Sequence, residues 1–216
     1  MKWSRLIIQI VLLIVVVFLG WKLYSSIMEP IRYKKVKDAR EQIIINKMLN
    51  IKTLQIEYKK IHGRYTASFD TLKDFYLNGK MPVVLKKGTN DTLTELRALE
   101  LGLITRDTSY VPIKDTLLKD VENFNIDIID IVPFTNGKVK FDMKAGMVDR
   151  SRFKVPVMEV SCKMEDYLKD IPEQEILQNE IRIIEEENKD RAEKKFPGLK
   201  LGSMEEPTLD GNWDSL

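Results

Sequence analysis

The side chains able to do chemistry in this 216-residue chain are few and sparsely placed. His62 is the only histidine and Cys162 the only cysteine, so the chain can assemble no His/Cys metal set and no internal disulfide. His62 stands beside Gly63 at the expected end of a helix, where a ring nitrogen or a cation satisfies the last carbonyls and needs no further role. Cys162 lies among Val157, Val160 and Met164 and reads as a half-buried strand thiol rather than a nucleophile. Asp127, Asp130 and Glu159 are the acids that could be brought together as a pair. Strand alternation sends Asp127 and Asp130 to opposite faces, which favours polar positions of a half-solvated sheet. The chain contains no phosphate-binding glycine loop, dinucleotide fingerprint or zinc-protease helix motif. We therefore expect a protein that is not an enzyme.

One oxygen-rich spacing remains. Asp210, Asn212 and Asp214 alternate, Gly211 permits a sharp turn, and Glu205 and Glu206 are close by. Hard cations such as Ca²⁺ take such donors, but the terminal bidentate Glu of a complete loop is missing. The same segment carries Trp213, and aromatic anchors dominate interface hot spots. A docking peptide centred on Trp213 and Asp210 is the favoured reading, with calcium at Asp210, Asn212 and Asp214 the weaker one and no cofactor expected. Asn90-Asp91-Thr92 matches a glycosylation sequon.

The elements that would position these residues begin with an apolar run. From Leu6 to Trp21 no residue is charged, and Gln9 is the one polar side chain. With Lys22 snorkelling, apolar surface extends through Leu23, Tyr24 and Ile27, close to the roughly 20 residues that span a hydrocarbon core. No small-residue cleavage pattern follows, so a retained anchor over residues 6–27 is expected, with 1–5 cytoplasmic. Gln9 could hydrogen-bond another helix within the bilayer. Lys2 and Arg5 favour a cytoplasmic N-terminus, whereas Arg32, Lys34, Lys35, Lys37 and Arg40 after the span favour a cytoplasmic domain and an adaptor role. The net charge of +2, from 35 basic and 33 acidic residues, leaves no nucleic-acid footprint.

Pro30 predicts a kink or restart. Beyond it Ile44, Met48, Ile51, Leu54, Tyr58 and Ile61 form one apolar stripe on an amphipathic stalk helix over residues 30–63, ended by Gly63. Gln55 intrudes on that stripe. An α+β domain over 64–200 follows. Ser68 or Asp70 caps a short helix to Leu77, and Met81–Leu85 is a strand placed by Pro82 at an edge. Leu93–Leu101 reads as a helix stopped by Gly102, and Thr108–Ile113 is β-rich. Phe124–Val132, Asn136-Gly137 and Val139–Met143 predict strand, tight turn, strand. Phe153–Cys162 is a further strand, and a last helix runs from about Glu173 to Lys194. A polar tail, 201–216, closes the chain.

This order resembles the type IV pilin and type II secretion pseudopilin group, in which an N-terminal membrane helix continues into an amphipathic helix packed on a small antiparallel sheet. The residues that carry the resemblance are Leu54, Tyr58, Gly63, Tyr65 and Leu72, matching the Gly-x-Tyr segment of that group, and the acidic, Trp-containing close Asp210–Asp214. No Gly precedes the span, so leader cleavage is not expected. The resemblance implies a single-pass inner-membrane protein of Gram-negative bacteria with its C-terminal domain in the periplasm. It implies a structural or interaction subunit of an envelope assembly, meeting lipid through Leu6–Trp21 and envelope proteins or further copies through sheet edge and tail. The alternative is a membrane-tethered periplasmic domain that binds a ligand or hydrolyses one.

Overall fold

The computed structural model describes the chain apart from residues 1, 88–104, 123, 151–152, 193 and 214–216. The helix expected over Leu93–Leu101, its Gly102 stop, the sequon at Asn90 and the candidate ligand Asp214 lie outside the described residues.

The chain begins with one helix, α1, Lys2–His62. The restart expected at Pro30 does not occur, and the helix carries the proline internally. Pro30 removes one backbone donor, a local loss that a long helix continuing on both sides absorbs. Gly63 ends it as expected, with φ +72° and its N–H donating to the Lys59 carbonyl at 2.8 Å. Ser68 caps α2, Phe69–Asn78, accepting from the Thr71 amide.

Strands β1, Lys80–Lys87, and β2, Thr105–Pro112, pair antiparallel in a two-stranded sheet with Lys80 opposite Pro112. A 3₁₀ turn, Ile113–Asp115, follows. Strands β3, Asp142–Arg150, and β4, Phe153–Lys163, pair antiparallel with Asp142 opposite Ser161, and β5, Gly198–Gly202, completes a sheet ordered β3-β4-β5. Between β4 and β5 run the single turn α3, Met164–Tyr167, and α4, Gln174–Asp190, which is shorter at its charged end than expected. The class is α+β, with small antiparallel sheets.

The hairpin expected at Asn136-Gly137 is a correction. Asn136 and Gly137 do take positive φ, 52° and 74°, but 124–130 folds as successive turns, leaving a single bridge, Ile131 to Lys140. The Asn125 side chain accepts from the Asp127 amide, and Ile126 and Ile129 are both buried, a three-residue period that a strand cannot present to one side. The long hairpin is β3–β4, one connection later.

Two compact units divide the chain. One comprises Met1–Ile45, Val132–Val139 and Cys162–Leu199; the other comprises Asn46–Ile131, Lys140–Ser161 and Lys200–Leu216. In the first, Tyr33 and Ile44 of α1 are buried together with Tyr167, Leu168, Leu177 and Ile181. In the second, Met48, Ile51, Leu54 and Tyr58 continue the apolar stripe of α1 into a core with Leu72, Ile113, Ile129, Met158 and Leu201. Each such side chain contributes about 1.5–3 kcal/mol on burial, so the distal half of α1 is core rather than a free stalk.

Candidate functional site

The first half of α1 is the surface that the rest of the chain leaves open. An 18-residue window within it has a mean hydropathy of 2.4, and none of it is buried. Ile7, Ile14, Val17, Phe18 and Trp21 each expose more than half their surface. Leu13, Ile14, Val17, Phe18 and Trp21 line an open groove without a polar side chain. Gln9 is exposed and precedes Leu13 and Val17 at four-residue spacing, on the same face. This is the one helix among the described residues long and apolar enough to cross a membrane.

The tail is not a loose peptide. It returns to β5 through a bridge between Leu201 and Gly211, with the Gly202 amide donating to the Asp210 carbonyl and the Asn212 amide to the Lys200 carbonyl, both at 2.9 Å. The Asn212 side chain accepts from the Lys200 amide at 3.0 Å, and the exposed Asp210 carboxylate accepts from Thr208 Oγ1 at 2.6 Å. Trp213 is half-buried, its indole packed over Gly211 so closely that a Cβ there would meet the ring at 2.2 Å. Among the described residues no three His, Cys, Asp or Glu side chains gather as a metal site.

The acids singled out by sequence take separate partners. Asp130 is 2% exposed, with Lys73 Nζ on Oδ1 and Lys140 Nζ on Oδ2, both at 2.7 Å. Burial alone would raise its pKa, but the hydrogen bonds from Lys140 and Lys73 outweigh burial and hold the carboxyl below the usual range. Asp127 is exposed and offers its carbonyl to Lys73, while Glu159 faces Lys144 and Lys200 at 3.9 Å each. Lys47 donates to the Ile128 and Ile131 carbonyls at 2.5 and 2.6 Å, and burial lowers its pKa. These amines pin the 127–131 turns in place.

His62 caps α1 as expected, Nδ1 lying 3.1 Å from the Tyr58 carbonyl and the ring stacking on Tyr58 with centroids 4.1 Å apart. Phe75 meets Tyr58 edge-on at 5.1 Å. Tyr58, Tyr65 and Leu72 are buried, Tyr65 beneath Lys59, while Gly63 is exposed at the end of α1. Cys162 is buried rather than half-buried, and burial pushes its thiol up to about 12, which leaves it protonated at neutral pH.

Sequence reasoning missed a polar cluster in the first unit. The Tyr33 hydroxyl donates to Glu180 at 2.5 Å, Lys37 pairs with Glu180, and Tyr167 donates to Glu41 at 2.8 Å. Arg40 forks onto Asp170, donates to the Tyr167 carbonyl at 2.6 Å, and lies 4.8 Å from the Phe134 ring centre. Burial raises the Glu41 pKa against the opposing hydrogen bond from Tyr167 and the charge of Lys37. The signal was present: Tyr33, Lys37, Arg40, Glu41 and Ile44 fall on one face of α1, prolonging the stripe that begins at Ile44.

Fold and site thus define an α+β protein whose N-terminal helix is apolar and uncovered at one end and built into folded units at the other. Comparison with protein-family models, with curated proteins and with solved structures gave no significant match.

Proposed function

We propose that this protein is a non-enzymatic, single-pass subunit of a cell-envelope assembly, anchored in the inner membrane by α1 with its folded units in the periplasm. The observation that carries the reading is the strongly apolar 18-residue stretch of α1, none of it buried, on a helix whose distal half contributes Ile44, Met48, Ile51, Leu54 and Tyr58 to the core. Thirteen Leu, Ile, Val and Phe residues lie between Leu6 and Trp21, and at about 0.3–0.6 kcal/mol each they favour insertion by roughly 4–8 kcal/mol. The apolar groove at Leu13, Val17 and Phe18, with Gln9 on the same face, suits contact with another helix in the bilayer. The half-buried Trp213 and the exposed Asp210 are the residues offered to a partner at the tail. The resemblance of Leu54, Tyr58, Gly63, Tyr65 and Leu72 to the pilin and pseudopilin segment, together with the α+β class, is what points the reading to an envelope scaffold.

The test is topology. A compartment-sensitive reporter fused after Leu216, with protease added to intact cells and to spheroplasts, places the C-terminal units. Periplasmic signal and protection by the outer membrane alone are expected. A cytoplasmic reporter signal would overturn the envelope reading, and release of the protein by alkaline carbonate would overturn the anchor.

A further inference from the structure

We propose that Lys34 and Lys35 form a docking surface for the anionic headgroups of phospholipids; the inference rests on the anchor reading above and gives that anchor a lipid preference. Tyr24, Ile27 and Ile31 succeed one another on α1 at three- and four-residue spacing and share one face. They are 60%, 56% and 56% exposed, so the apolar surface continues past Pro30 to Ile31. Lys34 and Lys35 prolong the same face and are themselves exposed. At 1.5 Å per residue their Cα atoms stand roughly 4.5–6 Å beyond Ile31 along the axis. The headgroup layer is about 5–7 Å deep on each side of the hydrocarbon. A helix whose last lipid-facing side chain is Ile31 therefore sets both ammonium groups at phosphate level.

The face of the same turns turned away from Ile31 is already occupied: Tyr33, Lys37 and Arg40 bind Glu180 and Asp170, and Glu41, nearer to Lys34, accepts from Tyr167. Arg32 lies 3.5 Å from Glu173. Among the described residues no acid pairs with Lys34 or Lys35; Glu29 and Asp38 are the exposed acids on neighbouring turns of α1. Two adjacent unpaired ammonium groups outnumber Asp38, the one exposed carboxylate at helical spacing from both, and so favour an anion, while the apolar face leading directly to them calls for acyl chains. A phospholipid supplies both, whereas an acidic peptide supplies only the charge.

The experiment is native mass spectrometry of the full chain released from nanodiscs of equimolar phosphatidylcholine and phosphatidylglycerol, counting the retained lipids of each class. Enrichment of phosphatidylglycerol is expected, falling about fivefold for each lysine lost in Lys34→Gln/Lys35→Gln, since each surface lysine is worth about 1 kcal/mol at an anionic membrane. Lys114→Gln/Lys138→Gln, equal in charge change, leaves the enrichment in place. Equal retention of both lipids by the wild type, or an unchanged ratio in the Lys34/Lys35 variant, overturns the inference while the anchor stands. A photo-crosslinking residue at position 35 that joins a protein instead of a lipid in native membranes assigns this face to a polypeptide and overturns it too. Failure of the chain to enter these nanodiscs sinks the anchor reading and the inference with it.

Discussion

Gln55 interrupts an otherwise apolar helix face and is wholly buried. Its amide explains the exception: Nε2 donates to the Thr66 carbonyl at 2.6 Å and Oε1 accepts from the Thr66 amide at 3.1 Å. One side chain thus satisfies both backbone groups of a residue just past the Gly63 turn. Gln55→Ala strands that pair, and we expect a loss of about 2–4 kcal/mol in urea unfolding, the cost of two unsatisfied buried groups. Asp130 offers a second test. Its depressed pKa means that the unfolded chain binds the proton more readily, so its contribution is complete above the ordinary carboxylate value of about 3.9 and is lost as pH falls toward the folded value. Asp130→Asn should cost about 1.5–3 kcal/mol at neutral pH and flatten the acid limb of the stability profile. Equal stability of wild type and variant at pH 7 would show that the Lys73 and Lys140 contacts are not net favourable. Sequence placed Asp130 on a sheet face because alternation was assumed where turns form. Composition alone does not reveal that three lysines hold those turns.

At the scale of elements, β5 is bounded by two glycines with distinct tasks. Gly202 has φ +76°, and a Cβ there would lie 2.3 Å from the Met158 carbonyl oxygen. Gly202→Ala combines a left-handed backbone with that clash and should lower stability by at least about 1–2 kcal/mol, read as a fall in thermal midpoint. Gly198 is pressed equally close to the Cys162 carbonyl. The α1–α3 contact behaves differently. Glu41 carries a raised pKa, so the folded state holds its proton more tightly and stability from this group increases as pH falls through the interval above the unfolded value of about 4.3. Glu41→Gln can still accept from Tyr167 and is expected to be more stable than wild type at pH 7–8, the advantage shrinking toward pH 4. A thermal midpoint that drops at every pH would show that the ionised carboxylate is needed for Lys37. The boundaries of α2 and β4 were legible because a Ser cap and a β-branched run act locally. The pairing of the tail with β5 was not, because it depends on contacts between segments distant in sequence.

For the whole molecule, the decisive property is the division of α1 between an open apolar half and a half built into two folded units. Replacing both Leu13 and Val17 by Arg near the middle of the apolar run should cost insertion about 2.5–3.5 kcal/mol per residue and shift the protein into the carbonate-soluble fraction. Retention of the double variant in the carbonate-resistant pellet would indicate that another surface holds it. The first contacts of α1 with the segment that holds α3 and α4 begin at Arg32 and Tyr33, directly after the exposed Ile31. Little free helix separates bilayer from folded unit in this reading.

The amino-acid sequence by itself determined the apolar run, the stripe from Ile44 to Tyr58, the Gly63 stop and the α+β class, because each depends on side-chain period or on backbone preference within a few residues. It also limited one kind of chemistry, since a single histidine and a single cysteine cannot make a His/Cys metal set or an internal disulfide. Only the tertiary structure decided that Pro30 is carried within the helix, that 124–130 turns instead of extending, that the tail folds back on β5 and that Tyr33, Lys37, Arg40 and Glu41 face partners. Each of those outcomes is set by which distant groups are near enough to bury a surface or satisfy a hydrogen bond, a competition that local propensity does not contain.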